Sequence, residues 1–149
     1  MCFFKQTSQR RVLGTVRSHN VLGLVIEDNL RWNEHICMIV CKASKRLHII
    51  CVLRRRGGVI AADLVAIYVA LIPSVLEYCC VIWHNALSTY PSSEIERVQM
   101  RALRIIYPRS SYQEALQLAK IPTLEHRRNE LNMRTFDKIT KGGRPCKNI

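Results

Sequence analysis

The sequence predicts a mainly α-helical fold, a bundle of four to six helices behind a short N-terminal β-hairpin. Three observations lead there. Apolar residues recur at helical spacing over most of residues 33–139. Pro and Gly punctuate that pattern at Gly57–Gly58, Pro73, Pro108 and Pro122. Only residues 12–27 carry the dense Val, Leu and Ile runs of strands.

Residues 1–9 read as an irregular start. "VLGTVR" (12–17) and "NVLGLVIE" (20–27) then read as two strands, with "SHN" as the turn, so that a hairpin occupies residues 10–28. Glu27–Asp28, the only adjacent acidic pair, reads as a solvated turn closing it.

A helical region is expected from 29 to 141. Asn33 is placed to cap the first helix, with Glu34 favouring its positive end. Trp32 is placed to pack on Cys37 as a hydrophobic staple. Ile36, Ile39, Val40, Ala43, Leu47 and Ile50 form the buried stripe, and Arg54–Arg56 fall at the negative end before the two glycines. Residues 59–83 are apolar on most sides and read as the central core element, kinked or split by Pro73.

"NALSTYPSS" (85–93) reads as a loop ending in a Ser93–Glu96 capping box. The helix that follows carries Ile95, Val98, Ala102, Ile105 and Ile106, with Arg97, Arg101 and Arg104 in a second stripe. Ser111 and Glu114 form another capping box. Thr123 caps a last helix bearing Leu124, Leu131, Phe136 and Ile139, which ends at Gly142–Gly143. Residues 142–149 read as a tail.

The chain of 149 residues, 48% hydrophobic, can bury a core of its own. Its 23 basic and 11 acidic residues leave a charge of +12, which points to a polyanionic partner. "MCFFKQTSQRR" is too short an apolar run for a secretory signal. The seven cysteines then read as reduced thiols of an intracellular protein, nuclear or cytoplasmic. The uncharged run 64–76 falls short of the roughly 20 residues of a membrane span.

Chemistry at a catalytic centre finds little support. Cys37 and Cys41 lie one helical turn apart near His35 and His48, but no second ligand pair follows at zinc-finger spacing. Both cysteines read as small buried hydrophobes, and His84 as a structural residue at a helix end. No Gly-x-Ser-x-Gly, phosphate-binding Gly loop or Cys–His signature occurs. The acidic residues are too dispersed for a two-metal site.

Arginine clusters carry the stronger signal: Arg54, Arg55 and Arg56; Arg97, Arg101 and Arg104; and Arg127–Arg128 with Arg134 and Lys138. Guanidinium forks suit phosphate oxygens and give salt-sensitive binding without sequence preference.

The order of several motifs adds a resemblance. "VLGLVIEDNLRWNEHICMIVCKASKRL", "AIYVALIPSVLEYCCVIWHNA", "EIERVQMRALRIIYP" and "SYQEALQLAKIPTLEHRRNELNM" occur in that order over residues 20–140. Together they resemble the palm end and thumb of reverse transcriptases from non-LTR (LINE-type) retrotransposons.

The resemblance implies a thumb-like, nucleic-acid-binding fragment of an RNA-directed DNA polymerase. Val21, Leu22 and Gly23 would correspond to the primer grip, and the basic helices to the duplex-holding surface. The family's catalytic Asp motif has no counterpart here. The chain alone is therefore expected not to be an enzyme and to need no cofactor; Mg²⁺ belongs to the missing palm. The hairpin, without a palm sheet, is expected to expose an edge and an apolar face that favour association. Two other readings remain: a decayed, non-functional transposon fragment, and a membrane-peripheral protein using residues 59–83 as an interfacial helix.

Overall fold

The computed structural model describes residues 17–142. Two strands, β1 (Ser18–Val21) and β2 (Leu24–Glu27), form an antiparallel hairpin with Val21 opposite Leu24. Five helices of eight residues or more follow: α1 (Asn33–Arg56), α2 (Ala61–Leu71), α5 (Thr89–Ile106), α6 (Tyr112–Ala119) and α7 (Leu124–Gly142). Two single-turn segments, α3 (Pro73–Leu76) and α4 (Cys80–Trp83), lie between α2 and α5. The mainly α fold with an N-terminal hairpin is as the sequence predicts.

The hairpin turn is not "SHN". Ser18–Asn20 belong to β1, and the chain reverses at Leu22–Gly23, with φ of 51° and 87°. Positive φ at both central residues is the type I′ pattern, whose twist matches that of paired strands. The Asn20 Oδ1 accepts the Gly23 amide at 3.0 Å, and the Tyr78 hydroxyl donates to the Leu22 carbonyl at 2.8 Å. The strand expected over 12–17 lies almost wholly outside the described residues.

Helix α1 starts at Asn33, but Asn33 does not cap it. Trp32 is the left-handed residue before the helix, and no side chain of the cap position bonds to it. Instead, Glu27 at the end of β2 accepts the Glu34 amide at 2.7 Å. Glu27 is buried, so the expected solvated turn is a tertiary helix cap. The Trp32 ring meets His35 edge-on at 6.1 Å, and Cys37 is exposed, which removes the expected staple. The stripe Ile36, Ile39, Ala43, Leu47 and Ile50 is buried as its spacing predicts. Gly57, at φ 73°, ends the helix.

Helices α1 and α5 share the most extensive helix–helix contact and form the centre of the core. The first turns of both helices line one cleft, so they run in the same sense. The segment 59–83, expected as the central core element kinked or split by Pro73, is split there and does supply fully buried residues to the core, but from one face only. Pro73 opens α3, and Cys79 in the left-handed region opens α4, with a 49° bend between Ala61–Leu76 and Cys80–Ala86. Leu64, Tyr68, Ile72, Leu76, Cys80 and Trp83 turn inward, while Val69, Tyr78, Val81 and Ile82 are exposed. No single helix among the described residues is long and apolar enough to cross a membrane.

Helix α5 begins four residues before the expected box. Thr89, Tyr90 and Pro91 form its first turn, where a missing Pro N–H costs nothing. Ser93 lies inside the helix and donates to the Tyr90 carbonyl at 2.7 Å. The Ser111–Glu114 capping box opens α6 as expected. Thr123 accepts the His126 amide at 3.3 Å at the start of α7. Leu124 is buried in the core, but Met133, Phe136 and Ile139 on the later turns of α7 are exposed.

The hairpin is not wholly bare. Leu24 is buried in the main core, and the Val25 amide donates to His35 Nδ1 at 3.3 Å, so α1 covers part of the apolar face. The tip, Val21–Leu22, stays exposed.

Candidate nucleic-acid interface

Arg54, Arg55 and Arg56 form the exposed last turn of α1. They sit among the carbonyls that an α-helix leaves unpaired at its C-terminus, where cations are favoured. Arg97, Arg101 and Arg104 are exposed along one face of α5, three and four residues apart. Arg97 also bonds Glu94 at 2.5 Å, which ties up one member of this row. Because α1 and α5 run in the same sense, their basic C-terminal turns point to the same end of the bundle.

The third cluster divides. Arg134 and Lys138 are exposed on α7. Arg127 instead donates to both oxygens of Glu77, at 2.5 and 3.0 Å. Arg128 is fully buried, donating to His84 Nδ1 and Ser92 Oγ, both at 3.2 Å. Two guanidinium groups expected on a phosphate-binding surface are thus internal fastenings. Nothing about an Arg-Arg pair in sequence separates a solvated role from a buried one; the partners Glu77 and His84 lie 50 and 44 residues away.

The packing also reveals a polar hub for which the sequence carried a fainter signal. Glu96 and Gln99, one helical turn apart on α5, both face the start of α7. Gln99 Oε1 accepts the Leu124 amide at 3.0 Å, and its Nε2 donates to the Pro122 carbonyl at 2.9 Å. Glu96 accepts the Glu125 amide at 3.3 Å and the Tyr112 hydroxyl at 2.5 Å. Burial and the Glu96 carboxylate push the Tyr112 phenol well above its ordinary range. The Glu-x-x-Gln spacing could have suggested that two polar side chains share one inward face. Their partners could not be read from it.

Val21, Leu22 and Gly23 form the hairpin tip, next to Tyr78. A shallow cleft there is bounded by Leu22, Gly23, Lys42 and Arg46. Arg46 is anchored by donating to the Leu71 carbonyl at 2.7 Å, at the C-terminal end of α2.

Cys37 and Cys41 are exposed, contrary to the expectation that they act as buried hydrophobes. They lie just off the buried stripe of α1, on the rim of the cleft between α1 and α5. Among the described residues, no three His, Cys, Asp or Glu side chains are grouped to hold a metal ion. His84 is structural: with Nδ1 accepting from Arg128, its Nε2 carries the proton and faces Asn129 Oδ1 at 2.8 Å.

Comparison of the chain with models of protein families, with curated proteins and with solved structures returned no match.

Proposed function

We propose that the chain is a nucleic-acid-binding, thumb-like region of a retroelement reverse transcriptase, holding a duplex by its phosphates and lacking the catalytic palm motif. The observation that carries this reading is the exposed arginine on two co-directed helices, Arg54–Arg56 on α1 and Arg97, Arg101 and Arg104 on α5. The charge of +12 supports a polyanion as the partner. The motif order of the resemblance chooses the retroelement family, and its palm-end segment assigns Val21, Leu22 and Gly23 to the primer end.

Two sets of bonds support the motif order as a description of one folding unit. Glu96 and Gln99 of one motif bond the Pro122–Glu125 stretch of the next. Glu77 of a third bonds Arg127 of that same motif. Residues matching the family's motifs therefore hold the helices together as well as presenting charge.

Binding to an RNA–DNA duplex across a salt series tests the reading. The logarithm of affinity should fall steeply with the logarithm of salt. Replacing Arg101 and Arg104, or Arg54–Arg56, with Gln should reduce that slope by about one unit for each arginine that meets a phosphate. An unchanged slope removes these arginines from the interface. Flotation with anionic liposomes in the absence of duplex binding would instead favour the membrane-peripheral reading, for which the exposed Val69, Val81 and Ile82 are the relevant surface.

A further inference from the structure

The turn between α5 and α6 borders a cleft of about 430 Å³. Buried Leu103 and Ala115 form its floor, and exposed Met100 and Pro108 its sides. Arg104, in the last turn of α5, and Arg109, in the connecting turn, line the same space beside Ser110. Sites for small organic ligands are typically about 300–1,000 Å³ and combine apolar surface with a few polar groups, as this one does.

The two guanidinium groups set the charge of the cleft. Among the described residues neither Arg104 nor Arg109 has an ion-pair partner, unlike Arg97, Arg127 and Arg134. No Asp or Glu lines the space. Glu114, the acidic residue nearest Arg109 along the chain, accepts the Ser111 amide at 2.8 Å. The Ser111 hydroxyl in turn accepts the Glu114 amide, so the cleft does not depend on an open helix end. The carbonyl end of α5 and the amide end of α6 meet here, and their opposed partial charges offset one another.

A bare phosphate would use the arginines and leave the apolar floor empty. An apolar ligand would use the floor and leave two cations unanswered. A nucleotide uses both: its phosphate oxygens suit the guanidinium forks, and its base can lie against Met100, Leu103 and Ala115. Bases stacked inside a duplex cannot reach such a cleft, whereas an unpaired base can be splayed out into it.

We infer that this cleft binds one unpaired nucleotide, free or at the end of a strand, with Arg104 and Arg109 on its phosphate and its base on the apolar floor. Arg104 also ends the α5 arginine row, so a strand held along that row would reach the cleft with its first unpaired residue. The choice of a nucleotide among organic phosphates rests on the nucleic-acid reading; the charge and shape of the cleft do not.

Titration of the full chain with adenosine 5′-monophosphate, followed by amide chemical shifts, tests the site. Changes should concentrate at residues 100–115. Inorganic phosphate and adenosine should each bind about tenfold more weakly, because each meets only half of the site. Arg109→Gln should weaken binding of the monophosphate about tenfold. Ser110→Glu, which adds a carboxylate to the cleft without removing a core side chain, should abolish the response. Both variants should keep the wild-type unfolding midpoint. No change at residues 100–115, equal affinity for the monophosphate and either of its halves, or an undiminished response in Ser110→Glu overturns the site.

Duplex ends separate this site from the nucleic-acid reading. An RNA–DNA duplex with one unpaired terminal nucleotide should bind more tightly than a blunt one, and Arg109→Gln should remove the gain. A blunt duplex that binds with steep salt dependence, with no gain from the overhang and no response to the monophosphate, leaves the duplex reading standing and overturns the cleft. If the monophosphate binds in the cleft and neither duplex binds, the site stands as one for a free nucleotide and the nucleic-acid reading fails.

Discussion

Arg127 grips both carboxylate oxygens of Glu77 across 50 residues of chain, joining the start of α7 to the bend after α3. The Glu77 side chain is 10% exposed and that of Arg127 36%. Removing Arg127 would strand a mostly buried carboxylate. Solvent reaches the arginine side, so the cost falls below that of a fully buried pair. Arg127→Ala should lose about 1–2 kcal/mol in urea unfolding. Arg127→Lys should recover only part of it, because an ammonium cannot make the paired contact. A variant as stable as the wild type would show that the pair contributes nothing net.

Gln99 is the sharper case, because it is fully buried and satisfies two backbone groups of the Pro122–Leu124 turn. Gln99→Ala leaves the Pro122 carbonyl unpaired and weakens the cap on the Leu124 amide. A loss of about 1–3 kcal/mol is expected. Amide hydrogen exchange should quicken at Leu124 and Glu125 more than in the middle of α1. Uniform loss of protection would mean that the hub is not a local fastening.

His35 predicts a pH dependence. Burial, with Lys42 as a smaller contributor, holds its pKa below the ordinary histidine value. Its Nδ1 must be unprotonated to accept the Val25 amide. As pH falls through about 6.5, the unfolded chain takes up a proton at this position before the folded chain does. The unfolded state then holds more protons, so stability contributed by neutral His35 is complete above that range and declines below it. Urea midpoints measured from about pH 7.5 to pH 5.5 should fall more steeply for wild type than for His35→Asn. Parallel curves would remove His35 as a cause.

The cysteines should separate by accessibility. Cys37 and Cys41 are exposed, whereas Cys80 is buried and its thiol is pushed up by that burial, with Glu77 adding to the shift. A maleimide reagent followed by peptide mass mapping should modify Cys37 and Cys41 in the folded protein and reach Cys80 only on unfolding. Equally fast modification at all three would contradict the burial of Cys80 in α4, and equally slow modification the exposure of Cys37 and Cys41 on α1.

The hairpin tip offers a stabilising change. Leu22 holds φ 51°, a left-handed conformation that a branched apolar side chain adopts at a cost, and its side chain is 87% exposed. Leu22→Asn creates the Asn-Gly pair favoured in type I′ turns and should add about 0.5–1 kcal/mol. The Tyr78 bond to the residue 22 carbonyl needs no side chain and should persist. Destabilisation by this substitution would mean that the Leu22 side chain has a packing role absent from the turn geometry.

Periodic burial was legible in the sequence. The stripe of α1, the glycine stop at Gly57, the break at Pro73 and the Ser111–Glu114 box all depend on residues within a turn or two of each other. So did the exposure of Arg54–Arg56, Arg101 and Arg104, which lie off the apolar stripes. The hairpin turn was misplaced, although Leu22–Gly23 carried its own signal. Polar residues "SHN" look like a turn locally, while strand pairing is decided by which register buries Leu24 and lets Glu27 reach α1.

Where polar side chains spend their hydrogen bonds was decided only by tertiary structure. Glu27 caps α1, Ser93 lies inside α5, and Glu96 with Gln99 closes the start of α7. Arg128 moved from an expected surface to the interior, and Arg127 to a half-buried ion pair, because their partners lie dozens of residues away. Helical spacing determines which face of a segment is apolar. Which distant carboxylate, amide or hydroxyl meets that face depends on how the helices stack, and local spacing does not encode that.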